Sequence, residues 1–417
     1  MSRPEGQTRR ATVSAGSLMV FQLLGLLLPL LTLPLLGRAL GVELFGQIML
    51  AQFVVFFGVV FIDSGFNTES QRRVAVATDE QSRLQALLDN LLARAFMACV
   101  VALVVLGAGA LMPGLPMWMI GISLLHIAGT LVFPQWWFIA RDEGIRMGLA
   151  STTGRLISAV LVLWLVRSPA DAGIALLAAS SATLFSGLMI WPKLLQAFRQ
   201  HGRALDWQGY RVFMHSVRQV ILSGFVSSVA QSVPTVVLGW LSGAHNVGLF
   251  SAADRLTRAA AHVAGVLGLS MLNVAARMHT DKSEHLQQTG RRVLLWTASA
   301  CVCGVAVLMV LSKSIVVILY GVHFMGSVMV LQILAAWLGL YVFRGIWLTL
   351  QWKARGLQNQ ISLLQWQEGL TVIVLSVFGA WASGANGVAA GLILSELGLL
   401  LRLYFLQQKQ TPTGVQS

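Results

Sequence analysis

Residues 92–112 read LARAFMACVVALVVLGAGALM. After Arg94 no charged residue interrupts the run to Met112. A helix needs about 20 apolar residues to cross the hydrocarbon core of a bilayer, and this stretch supplies them. Open sheets are excluded there because lipid cannot satisfy their edges. A barrel strand would alternate in polarity, whereas this run is continuous. The stretch is therefore a membrane helix, and Arg94 is a cation placed just inside it.

Working outward, further runs of similar length lie near 15–36, 47–66, 117–138, 148–166, 174–191, 217–240, 249–272, 293–312, 326–350, 361–381 and 388–406. The composition agrees. Of 417 residues 56% are hydrophobic and only 11% are charged, against about 25% charged in a soluble domain. The chain reads as an all-α polytopic membrane protein with about twelve transmembrane helices. The connections alternate between long basic segments and short Gly-rich ones. Of the 29 Lys and Arg, 21 fall on one side, counting helix-end Arg218 and Arg402. Only Arg38, Arg167 and Lys313 fall on the other, and five lie within the spans. Basic loops stay in the cytoplasm, so both termini are expected there. The same one-sided loops account for the formal charge of +13 without nucleic acid as a partner.

Motifs for catalysis are absent from the sequence. It has no GxxxxGK[ST] loop, no GxSxG elbow, no DxD pair and no His/Cys metal spacing, so neither enzyme activity, cofactor nor metal is expected. Cys99, Cys301 and Cys303 sit in apolar helices and read as small packing residues. A polymerase or glycosyltransferase would need large outer loops, and those loops are short.

The informative residues are the charges inside the spans. An arginine near the bilayer centre costs about 2.5–3.5 kcal/mol on insertion scales and normally faces a polar cavity or a partner. Arg255 and Arg258, three apart, share a helix face and lie well below the interface. A guanidinium offers a fork of donors to phosphate and stays charged when desolvated. These two are the candidate docking pair for an anion, with Arg155, Arg38 and Arg344 guiding it. Two other readings stand beside this one. Asp254 and Arg258 can form a structural i,i+4 pair, and Arg94, Arg155 and Arg344 can snorkel to the cytoplasmic interface. The acidic candidates for ion coupling are Asp254, Glu368, Glu396 and Asp63; Glu368 and Glu396 can instead pair with an arginine across a cleft.

The halves resemble each other. Shifting the chain by 202 residues puts Leu36-Gly37, Gly41, Gly46 and Ala51 on Leu238-Gly239, Gly243, Gly248 and Ala253. Six spans return the chain to its starting side, so the repeats are parallel and related by an axis along the membrane normal. This predicts two six-helix bundles, 1–200 and 201–417, around a central cavity; shared Gly turn chemistry is the competing explanation. Pro29 and Pro34 are expected to break the first span and Pro234 its counterpart, as gating positions. Trp136 and Trp137 read as interface anchors.

At several points the chain resembles a known family. Leu33–Gly46 (LPLLGRALGVELFG) followed by Asp63-Ser64-Gly65-Phe66-Asn67 is similar to the opening of the O-antigen and polysaccharide flippases. These form the polysaccharide transporter family of the multidrug/oligosaccharidyl-lipid/polysaccharide exporter superfamily. Pro134-Gln135-Trp136-Trp137-Phe138 with Asp142 matches the family's P-x-W-x-F segment. Val247-Gly248-Leu249-Phe250-Ser251-Ala252-Ala253-Asp254-Arg255-Leu256 resembles its eighth-helix signature, and Leu319-Tyr320-Gly321 with Phe324 its turn before the tenth helix. Ile139-Ala140 and Asn273-Val274-Ala275 depart from the usual pattern. The resemblance implies a cationic central cavity and alternating access in a bacterial inner membrane. It implies an undecaprenyl-diphosphate-linked oligosaccharide flipped from the cytoplasmic to the periplasmic leaflet, with ion antiport. Membrane lipids, a polysaccharide polymerase and a chain-length regulator are the partners it implies. The alternative within the superfamily, a multidrug or cation antiporter, would need an excess of cavity carboxylates, and intramembrane arginines outnumber the deep acids here.

Overall fold

A computed structural model describes residues 5–63, 65–201, 206–270, 284–352 and 358–410. Helix follows helix, and no strand occurs among the described residues. In chain order these are α1 (Glu5–Asp63), α2 (Phe66–Val76), α3 (Glu80–Ala110), α4 (Met117–Ser123), α5 (Leu125–Val132), α6 (Gln135–Ala140), α7 (Gly144–Leu165), α8 (Ala172–Leu188), α9 (Trp191–His201), α10 (Trp207–Ser270), α11 (Glu284–Tyr320), α12 (Ser327–Gln351) and α13 (Gln358–Gln410). Nine stretches among the described residues are long and apolar enough to cross a membrane. Their outward faces carry apolar side chains: Val100, Leu103 and Val104 on α3, and Trp296, Val302 and Val310 on α11. Such surfaces are stable only against lipid or another protein. The chain is a multi-pass, all-α membrane protein.

Three of the longest helices contain a reversal of backbone conformation. In α1 it is at Gly41, φ 75° and ψ 172°. In α10 it is at Gly243, φ 80° and ψ 172°. In α13 it is at Ser383-Gly384, Gly384 having φ 57°. These three breaks stand where the sequence places short loops between spans. Gly41 and Gly243 are the two glycines that the 202-residue shift superposes, and they share one backbone conformation. That conformation is essentially closed to residues with a Cβ.

The prolines act differently from expectation. The chain keeps helical dihedrals through Pro29 and Pro34 in α1 and through Pro234 in α10. A proline's fixed φ is helical and its ring removes one hydrogen bond; glycine makes the full break. The segment 67–91, expected as a loop, is also helical except at residues 77–79. Asp79 caps α3 by accepting the Ser82 amide at 2.8 Å, which lets the helix begin well before its apolar run.

Packing divides the chain into two compact units, Met1–Ser232 and Val233–Ser417. In the first, α7 packs against α8 and α1, α5 against α8, and α2 against α3 and α6. Trp136 and Trp137 are buried there among Val74, Leu84, Leu87 and Phe133. They are core residues, not interface anchors, since α6 is a short helix covered by α2 and α7. Phe213 and Val217, early in α10, close a second core with Phe66 and Ala93. In the second unit, α11 packs on α12 and α12 on α13, around Leu348, Trp352, Ile361, Leu364, Leu399 and Leu403.

Candidate functional site

Each membrane arginine can be followed to its partners. Arg94, on α3, is 2% exposed. Its Nη2 donates to Asp63 Oδ1 at 2.6 Å and to the Thr130 carbonyl at 2.9 Å. It ties α1, α3 and α5 together rather than snorkelling. Asp63, expected as a coupling group, is the carboxylate of that tie, one acid facing one guanidinium.

Asp254, on α10, is buried at 1% exposure. The Nε of Arg258 donates to both its carboxylate oxygens, at 2.8 and 2.7 Å. The structural i,i+4 pair is therefore formed, and it belongs to a larger group. Arg255 adjoins Asp254, half-buried, so two guanidiniums stand beside one carboxylate. The Arg258 guanidinium also lies 5.8 Å from the ring centroid of Trp337 on α12.

Arg344, on α12, is buried between two acids of α13. Its Nε donates to Glu396 Oε1 and its Nη2 to Glu396 Oε2 at 3.3 Å. Glu368 accepts from Nη2 at 3.3 Å and from Nη1 at 3.5 Å. The expected pairing of these glutamates with an arginine is thus found inside the second unit, and Arg344 does not snorkel. Its guanidinium lies 5.2 Å from the Tyr341 ring.

Arg155, on α7, is half-buried. Its guanidinium rests on the bare backbone of Gly25: a Cβ built there would stand 1.7 Å from Nη1. Arg38 is exposed, three residues before the Gly41 reversal. The five docking candidates are thus split between the units, Arg38 and Arg155 in the first and Arg255, Arg258 and Arg344 in the second. Among the described residues no group of three His, Cys, Asp or Glu could hold a metal ion.

Four contributors were missed by the sequence reading: Thr130, Gly25, Trp337 and Tyr341. The last two were legible. Trp337, Tyr341 and Arg344 follow the four-then-three spacing that aligns one helix face, and the two rings lie 5.1 Å apart. Thr130 acts through its carbonyl, which no residue type announces. A further feature is a half-open cavity of about 310 Å³ in the first unit, lined by Glu80, Arg141, Glu143, Arg146 and Lys193 over Trp137. Its arginines are engaged with its glutamates.

Comparison with known proteins places this geometry. Residues 12–271 match the family described as "Polysaccharide biosynthesis protein". An Escherichia coli K12 protein, provisionally named an O-antigen transporter, is 27% identical over 246 residues, 56% of this chain and 57% of its own length. A Shigella dysenteriae protein of the same name is 25% identical over 251 residues, 56% of this chain and 59% of its own. The chain thus matches under two thirds of the length of these relatives. Among solved structures, the lipid II flippase MurJ in an inward closed conformation superposes with TM-score 0.72 at 15% identity, over 95% of this chain and 87% of that one. An inward-facing multidrug resistance MATE transporter gives 0.71 at 15% identity, over 97% and 100%. These likenesses establish a shared fold. With the family match covering more than half its length, the chain belongs to the polysaccharide biosynthesis protein family.

Proposed function

We propose that this protein is a flippase of a bacterial inner membrane. It moves undecaprenyl-diphosphate-linked oligosaccharide from the cytoplasmic to the periplasmic leaflet by ion-coupled alternating access, for O-antigen or another surface polysaccharide. The observation that carries this is the group Asp254–Arg255–Arg258: two guanidiniums against one carboxylate on a membrane helix, in a family of polysaccharide biosynthesis. Guanidiniums within a membrane span are expensive, and two on one helix face suit a diphosphate, which Arg binds through two parallel donors. The names of the matched relatives agree with such a substrate.

In this reading Arg255 and Arg258 take the diphosphate, and Arg155, Arg38 and Arg344 guide it. The polyprenyl tail stays in lipid. Twelve spans form two six-helix bundles, 1–200 and 201–417, with both termini cytoplasmic. The shared conformation of Gly41 and Gly243 supports the repeat. Pro29, Pro34 and Pro234 serve as gates, and Pro234 lies two residues after Ser232, where the first compact unit ends within α10. A polysaccharide polymerase and a chain-length regulator are the partners downstream.

The test has two arms. Expression in a strain lacking its O-antigen flippase should restore surface polysaccharide. The purified chain in liposomes should carry a labelled polyprenyl-diphosphate oligosaccharide across the bilayer. Export of cationic drugs with no movement of the lipid-linked glycan would replace this reading by the multidrug one.

A further inference from the structure

The second unit holds two charged clusters. Around Asp254 there are two guanidiniums for one acid. Around Arg344 there are two acids for one guanidinium. We propose that the Arg344–Glu368–Glu396 cluster is the proton-binding site of the transport cycle, with Glu368 bearing the exchangeable proton. This deepens the flippase reading and rests on it, naming the coupling ion and the group that carries it.

The argument starts from charge. With both glutamates ionised the cluster carries a net negative charge, and its Arg344 and Glu396 side chains are only 8% and 2% exposed. A buried ion is tolerated when it is paired and strongly disfavoured when it is in excess. One proton makes the cluster neutral. A metal ion does not fit the same role. Hard cations require a shell of several oxygens, and here each carboxylate oxygen already faces a guanidinium nitrogen that fills the space between the acids.

Geometry selects the glutamate. Glu396 takes the guanidinium side-on through Nε and Nη2, with its shortest contact at Nε. Glu368 takes it end-on at 3.3 and 3.5 Å, and its side chain is 20% exposed. The better-bonded acid stays ionised and the looser one holds the proton, which its greater exposure lets exchange with water. Release breaks the O–H bond of the Glu368 carboxylic acid, leaves the electron pair on the carboxylate and passes the proton to water. Because the two acids share Nη2, their titration belongs to the pair.

The surroundings add no competing acid among the described residues. Tyr341 stacks beneath Arg344. Arg402, nearly two helical turns beyond Glu396, bonds to Gln367. From α11, Cys301 packs against Gly339 of α12. The Trp337–Tyr341 stack does more than fill space. One end lies against Arg258 and the other against Arg344. An anion that draws Arg258 toward itself moves the stack on which Arg344 rests, and a shift of Arg344 changes which glutamate must be neutral.

The test uses the full chain in liposomes with a labelled polyprenyl-diphosphate oligosaccharide and an imposed pH or sodium gradient. One proton per cycle shifts the final distribution of the glycan between leaflets about tenfold per unit of pH difference. Glu368→Gln and Glu396→Gln should each erase that shift, read from the final distribution and not the rate. A parent that flips but ignores the pH gradient, or that follows sodium instead, overturns the proposal. So does a Glu368→Gln protein that still follows pH. Infrared spectroscopy of the purified chain supplies an arm independent of transport and of how the variants fold. The C=O stretch of a neutral carboxylic acid should be present near neutral pH and vanish on alkalinisation, and a properly folded Glu368→Gln protein should lack it. Absence of that band in the parent overturns the proton site even if flipping is normal. Failure of the parent to flip, with the band present, overturns the flippase reading and leaves the proton site supported.

Discussion

Arg94 in the first unit and Arg344 in the second are both buried in membrane helices, yet they have been put to different uses. Arg94 meets one carboxylate, Asp63, and a backbone carbonyl. Its charge is matched, and the result is a tie between three helices. Arg344 meets two carboxylates, and the Asp254 cluster holds two guanidiniums. The residue type is the same in all three places. The lesson is that the ratio of acids to bases around a membrane arginine, more than the arginine itself, separates a structural charge from a functional one. The Arg344 cluster, with two acids on one base, gains from a proton, whereas the charge-matched Arg94–Asp63 pair does not.

The largest effect should come from the unmatched side. Arg255→Ala leaves the Asp254–Arg258 pair in place but removes the second guanidinium beside it. Export of surface polysaccharide should fall to the level of a strain without the protein, while membrane abundance stays near the parent's. Arg255→Lys should recover only part of the export, since the bidentate fork is lost. Normal polysaccharide in an Arg255→Ala, Arg258→Ala double variant would break the comparison at its centre.

The matched side should respond in stability. Removing one partner of a buried ion pair costs about 3–5 kcal/mol, and the Asp63 side chain is 37% exposed, so Arg94→Met should fall toward the lower end. The readout is thermal unfolding in detergent. Replacing Asp63 by Asn as well should recover part of the loss, because the stranded carboxylate is gone. An Arg94→Met protein of parental stability that cannot transport would mean that the matched pair is functional after all.

How far these distinctions were readable in advance follows from the range of each interaction. The spans were readable because lipid imposes one local rule, a long apolar run, on every helix. The likeness of Gly41 and Gly243 was readable because their strained backbone conformation admits essentially one residue type. The partners of Arg94 were not, since Asp63 and Thr130 come from distant parts of the chain. Arg344 and its glutamates were foreseen only as a possible pairing; that two acids would converge on one base depends on how α13 folds back at Ser383-Gly384. Trp136 and Trp137 were misjudged because an indole suits an interface or a core equally well, and only the packing of α2 over α6 decides.

The two reversals offer a finer test of the halves. A non-glycine residue in this conformation costs about 1–3 kcal/mol, and neither glycine has an atom within 4 Å of a would-be Cβ. The cost is therefore conformational and should be alike at both. Gly41→Ala and Gly243→Ala should lower the melting temperature by similar amounts. Clearly unequal shifts would count against the proposed repeat despite the common dihedrals.

The smallest effect is expected at Gly25, and it is the most selective. Adding a methyl there puts it 1.7 Å from Arg155 Nη1, and the atom that must yield is the far end of a flexible side chain. Alanine is favoured over glycine in a helix by roughly 0.5–1 kcal/mol, which offsets part of the clash. Gly25→Ala should thus leave thermal stability close to the parent's while turning the Arg155 guanidinium away from α1. If Arg155 guides the diphosphate, transport should slow several-fold, with the apparent affinity for the lipid-linked glycan changing more than the maximal rate. A double-mutant cycle isolates the cause. In an Arg155→Ala background the same Gly25→Ala change should have almost no further effect on transport. Full additivity would show that Gly25 acts by another route and that Arg155 merely packs against it.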